Sequence, residues 1–151
     1  MSEEGVLLGL FAGLAIIFLF MVIVAIILYV FMALGLFKIA KREGMQDKAW
    51  MAWVPVVNFF LLTLLVENDV HEQIRGKLTL IYGISLAASV LLSWLFSPIS
   101  FLPLIVALYA FYFLARKYST NEVVHIVIAA ITFSATMPIQ LFMFRNREQV
   151  T

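Results

Sequence analysis

The sequence predicts an all-α integral membrane protein, a helical bundle assembled from five apolar segments within a single membrane domain spanning 1–151. Three observations carry that expectation. Hydrophobic residues make up 64% of the 151 positions and charged residues 13%, against about 45–50% and about 25% in soluble domains, so a soluble fold would lack the polar surface to cover its apolar remainder. From Gly5 to Phe37 the chain runs 33 residues without a charged side chain, whereas about 20 suffice to cross a hydrocarbon core about 30 Å thick. The later apolar stretches are joined by polar links too short to fold by themselves.

The first segment, 5–37, forms a helix of about 50 Å at about 1.5 Å of rise per residue. Ser2-Glu3-Glu4 before it is acidic, whereas a secretory signal needs a basic leader and a shorter apolar core. Lys38, Lys41, Arg42 and Lys48 follow it. Acid before and base after a span place the N-terminus outside and the basic residues in the cytoplasm, where they anchor on anionic headgroups together with Trp50 and Trp53. Because the run exceeds the bilayer, Val30 to Phe37 must tilt, emerge or pack on another segment, and Tyr29 marks the depth at which it leaves the core. Gly5, Gly9 and Gly13, with Ala12 beside them, recur at four-residue intervals and give one helix face a row of minimal side chains. Gly83 and Ala87, with Ser85 and Ser89, form a second small-residue row. The two rows can pack on each other, or the first can contact a second copy or a partner's helix.

Segment 49–66 is 18 residues long, short for a span, and carries Pro55, Asn58 and the two tryptophans, which suit an interfacial or re-entrant element. The 38 charge-free residues Leu78 to Ala115 are too long for one crossing and are interrupted at Ser97-Pro98 and Pro103, so they read as a helical hairpin with arms 78–96 and 99–115. The last segment, 123–144, is closed by Arg145-Asn146-Arg147-Glu148.

Two topologies follow. With five spans, six basic residues lie inside and four outside. With 49–66 entering and leaving on one side, four spans remain; Arg75, Lys77, Arg116 and Lys117 then move inside and only Arg145 and Arg147 lie outside. Eight against two obeys the positive-inside tendency better, yet the nearly uninterrupted apolar run Val56 to Val66 favours a fifth span.

The run Lys41-Arg42-Glu43-Gly44, then Ala52-Trp53-Val54-Pro55-Val56-Val57-Asn58, then the closing Phe144-Arg145-Asn146, resembles a pattern in small, poorly characterised multi-spanning membrane proteins of bacteria. The resemblance covers about 30 residues and implies a bacterial cytoplasmic membrane with no activity to carry over. Proline in a helix frees the carbonyl four residues earlier, here Met51, and Asn58 stands one turn on to satisfy it or to bond across to another helix. Ala135-Thr136-Met137-Pro138-Ile139-Gln140 echoes that arrangement. Paired broken helices are a pointer to transporters built from inverted repeats, although short apolar segments also match by chance.

Charge and composition exclude several function classes. A net charge of +1 without a long basic run excludes a nucleic-acid interface. The absence of cysteine excludes disulfides and thiolate chemistry. No Asp, Glu, Lys or Arg lies within the five segments, which argues against proton relays and charged channel rings. His125, two residues inside the last segment, stands three from Glu122 and is positioned to pair with it. In the loop 67–77, Glu67, Asp69 and His71 alternate and suit a divalent metal in an extended chain, and Glu72 could serve as a base. A His-Glu-x-x-His run and a phosphate loop are both missing, so the loop reads as a solvated link and no metal or cofactor is implied. The expected function is therefore non-catalytic: an interaction, accessory or immunity-type subunit acting by helix packing. The alternative is a homo-oligomeric channel or permease lined by Asn58, Thr63, Thr136 and Gln140, and an interfacial lipid-processing enzyme using His71 and Glu72 comes third. The partners expected are the lipid bilayer and either a second copy or a larger membrane protein.

Overall fold

The computed structural model describes residues 2–150 and is all-helical, with no strand among them. Its order is α1 (Glu3–Arg42), a 3-10 helix (Ala49–Trp53), α2 (Val57–Val66), α3 (Leu78–Leu92), a second 3-10 helix (Ser97–Phe101), α4 (Leu102–Tyr118), α5 (Glu122–Ile131) and α6 (Met137–Phe144). Two helical runs, Glu3–Arg42 and Ser97–Tyr118, are long and apolar enough to cross a membrane.

α1 is 40 residues long and starts where the Ser2 hydroxyl accepts the Gly5 N–H, a side-chain cap for one of the free amides of its first turn. Its two halves have different surroundings. Residues 2–27 are exposed throughout, whereas Met32, Ala33, Gly35, Leu36, Ile39 and Ala40 are buried. Val30 to Phe37, the stretch expected to tilt, emerge or pack on another segment, packs, chiefly on α6 and the first 3-10 helix.

The rest of the chain forms three hairpins, of which the first and third pack on this inner half of α1 and the second packs on α2. In the first, Trp53 comes back to Phe37 and its carbonyl accepts the Tyr29 hydroxyl. The backbone reverses at Val54–Val56, with Val56 in the left-handed region at φ 68°, and α2 returns from Asn58 beside Met32 to Leu65 beside Lys117. The second hairpin is α3–α4, as the sequence predicts. Gly83 on α3 lies against the Phe60 ring of α2, and Tyr82 meets the same ring edge-on at 5.0 Å.

The third hairpin corrects a sequence expectation. Segment 123–144 is not one helix: Phe133 and Ser134 take φ 49° and 66°, the chain reverses, and α6 runs back along α5. His125 Nδ1 stands 2.7 Å from Gln140 Oε1, although fifteen residues of continuous helix would separate them by about 22 Å. α6 then lies parallel to α1, with Phe142 stacked on Phe31 at 4.6 Å and Lys38 bonded to Asn146. Each proline sits in a turn or a first helical turn. Pro55 lies in the reversal before α2, and Pro98, Pro103 and Pro138 open helices, where a missing N–H leaves no bond unmade. None kinks a helix.

Every hairpin therefore opens at the same end as Arg42. The reversals at 54–56, 93–96 and 132–136 carry no charged residue, and all ten lysines and arginines lie in the last two turns of α1, the last turn of α4, the links 43–48 and 67–77, or after α6. Seven of the nine acids join them; Glu3 and Glu4 stand alone at the far tip of α1.

Candidate functional site

The glycine row on α1 has no neighbour from another element among the described residues. A Cβ built on Gly9 or Gly13 meets nothing within 4 Å, and one on Gly5 meets only the Ser2 hydroxyl. The two small-residue rows do not pack on each other: Gly83 faces α2, and Ala87 is exposed. The glycine that mediates close packing is Gly35, which sequence reasoning passed over. Its hypothetical Cβ would lie 2.6 Å from the carbonyl carbon of Leu141, 2.7 Å from that carbonyl oxygen and 2.8 Å from the Phe142 nitrogen. Only a hydrogen side chain admits the α6 backbone there.

Pro55 and Pro138 each precede a returning limb, and each limb carries a buried amide soon after its proline, Asn58 on α2 and Gln140 on α6. Both limbs run in the same sense as α1. Inverted-topology repeats would run oppositely, so the echo between the two motifs marks two similar hairpins and not an inverted pair. Asn58 donates to the Met32 sulfur at 3.7 Å, and its side-chain oxygen is buried without a partner. Gln140 belongs to a short polar chain in which its Oε1 meets His125, its Nε2 donates to Thr136 at 3.2 Å, and Thr136 meets Thr132 at 2.9 Å. His125 thus partners Gln140 in place of the expected Glu122. The Thr63 hydroxyl is turned onto the Phe60 carbonyl at 2.8 Å. The polar residues proposed to line a path divide between α2 and the α5–α6 hairpin, and no hydrogen bond joins the two groups among the described residues.

The loop residues are drawn apart. Glu67 accepts the Thr79 N–H at 3.3 Å and helps begin α3, whereas Asp69 pairs with Lys117 at 2.9 Å. His71 lines a groove with Tyr109, and Glu72 is not among its walls.

The charged end holds a cluster that local sequence gave no sign of. Lys117 Nζ lies 2.7 Å from Glu43 Oε2 and 2.9 Å from Asp69 Oδ2, and it also donates to the Leu65 carbonyl at 3.4 Å. Glu43, whose side chain is 9% exposed, also accepts the Tyr118 hydroxyl at 2.7 Å and the Gln149 amide at 3.3 Å. One carboxylate thereby joins the ends of α1 and α4 and the C-terminal tail. Beside it, Arg42 donates to the carbonyls of Arg145 and Arg147. Of the other residues expected to anchor on headgroups, Lys41 lies 4.3 Å above the Phe37 ring, and Lys48, Trp50 and Trp53 are exposed. No family model, curated protein or solved structure matches this chain.

Proposed function

We propose that the protein is a non-catalytic interaction subunit of a bacterial cytoplasmic membrane. Its N-terminus lies outside, its charged end faces the cytoplasm, and the outer half of α1 is the element that contacts another membrane protein or a second copy. In this placement α1 and the α3–α4 hairpin cross the bilayer, while the hairpins at 49–66 and 123–144 are re-entrant. All ten basic residues then fall on the cytoplasmic side, better agreement with the positive-inside tendency than either topology counted from sequence.

The observation that carries the reading is the exposed apolar half of α1. Its inner end is tied to the charged layer through Lys38 and Arg42, so its surplus length must lie at the outer end. The 33 apolar residues from Gly5 to Phe37 span about 50 Å, and a tilt of about 40°, the upper end of what such helices adopt, still gives about 38 Å against a core of about 30 Å. Gly9 falls in the part that overshoots even at this tilt, and Gly13 joins it at tilts up to about 30°. In a helix each glycine costs about 1 kcal/mol relative to alanine, and nothing among the described residues packs there to offset it. A helix from a partner would.

The direct test is affinity purification from native membranes, with and without Gly9→Ile and Gly13→Ile together. A stoichiometric membrane-protein partner, or a cross-linked dimer, that disappears in the double variant is the expected result. Identical recovery would sink the proposal, and solute flux through proteoliposomes of the purified protein would favour the channel reading.

A further inference from the structure

We propose that the groove between the C-terminal turns of α1 and α6 binds the phosphate headgroup of an anionic phospholipid, held by Lys38, Lys41 and Arg145. The groove has a volume of about 320 Å³ and is lined by Leu34, Phe37, Lys38, Lys41 and Arg145. Its three polar walls are all cations and none is a carboxylate. Both ion pairs among the described residues are made by Lys117, so the three cations share the groove with no ion pair to any described carboxylate. Like charges gathered at the edge of a low-dielectric slab repel, and a phosphate bridging them removes that repulsion.

The cations are also held in place before any ligand arrives. Lys41 Nζ stands 4.3 Å from the Phe37 ring centroid, and the Arg145 guanidinium carbon lies 3.4 Å from the centroid of Phe142. Lys38 gives one N–H to Asn146 and keeps two for another acceptor. Arg42 fastens the tail by donating to the Arg145 and Arg147 carbonyls, bringing a guanidinium from the far end of the sequence to the two lysines. The apolar floor of Leu34 and Phe37 suits the glycerol and first methylenes of a lipid, whereas free phosphate gains nothing from it. Basic pockets between helices on the cytoplasmic side are the usual seat of such headgroups. The site rests on the membrane placement proposed above.

The test is native mass spectrometry of the full chain, purified in detergent and titrated with phosphatidylglycerol, phosphatidylcholine or inorganic phosphate. Phosphatidylglycerol is expected to bind in preference to phosphatidylcholine, and inorganic phosphate at millimolar concentration should not displace it. Lys38→Gln, Lys41→Gln and Arg145→Gln should each weaken phosphatidylglycerol about fivefold and together about a hundredfold, whereas Arg75→Gln with Lys77→Gln, away from the groove, should leave it unchanged. Lys41, exposed and without a hydrogen bond to lose, gives the variant safest for folding, and Lys41→Arg should retain binding. Equal affinity for the two lipids, displacement by phosphate, or unchanged affinity in Lys41→Gln and in the triple variant would overturn the site. Release of the protein from membranes by alkaline carbonate would instead overturn the membrane placement itself.

Discussion

Replacing Gly35 with alanine should separate α1 from α6, the most extensive helix contact in the fold. The added methyl would sit 2.6 to 2.8 Å from three backbone atoms of Leu141 and Phe142, about 1 Å inside ordinary van der Waals distance. Backbone cannot rotate out of the way as a side chain can, so the penalty falls at the upper end of the range for overpacking, about 3 kcal/mol. Alanine recovers about 1 kcal/mol through its better helix propensity, leaving a net loss of about 2 kcal/mol. The same change at Gly9, in the same helix but with open space around it, should lose nothing. Unfolding of the two variants by SDS titration in mild detergent, followed by tryptophan fluorescence, gives the comparison. A Gly35→Ala protein as stable as Gly9→Ala would refute the close approach of α6, and with it the reversal of the chain at 132–136.

Other substitutions probe separate parts of the account. Val56 holds a left-handed backbone at φ 68° that disfavours a β-branched side chain, so Val56→Gly should stabilise the protein by about 1 kcal/mol in the same titration; a loss would mean that the turn before α2 is built differently. Glu43→Gln keeps the shape but weakens the bonds to Lys117, Tyr118 and Gln149, and it should cost about 2 kcal/mol in that assay. Wild-type stability in this variant would show that the cluster does not join α1 to α4. Asn58 carries a buried oxygen without a partner, so Asn58→Leu should preserve or raise stability by up to about 1 kcal/mol and leave partner recovery intact. Loss of that recovery would assign Asn58 a role beyond packing.

The legible part of the fold is the part written in local sequence. Charge-free runs announced helices, and Ser97-Pro98 announced the α3–α4 hairpin because proline both ends one helix and opens the next. The reversal inside 123–144 escaped notice because Phe133 and Ser134, neither a glycine nor an asparagine, occupy its left-handed positions. The hydroxyls Thr132, Ser134 and Thr136 clustered just before Pro138 were the available signal. Gly35 was overlooked for the opposite reason: it stands alone, with no glycine four residues away, and only the α6 backbone makes it necessary. Of the glycines that do repeat, Gly9 and Gly13 have no other element packed on them among the described residues. Lys117 comes from the last turn of α4 and Glu43 and Asp69 from two separate links, and no local pattern ties them together. Both ways of counting basic residues by side took 123–144 as one helix, where the reversal at 132–136 makes two.

The central claim is that every link and the C-terminus share one side of the membrane, opposite Ser2. The chain contains no cysteine, so single cysteines introduced at Ser2, Gln46, Gln73, Thr120 and Glu148 can be labelled in intact spheroplasts with a membrane-impermeant thiol reagent. The account predicts labelling at position 2 alone, with the other four reached only in inverted vesicles. Labelling of positions 73 and 120 in spheroplasts, as five spans require, would contradict it.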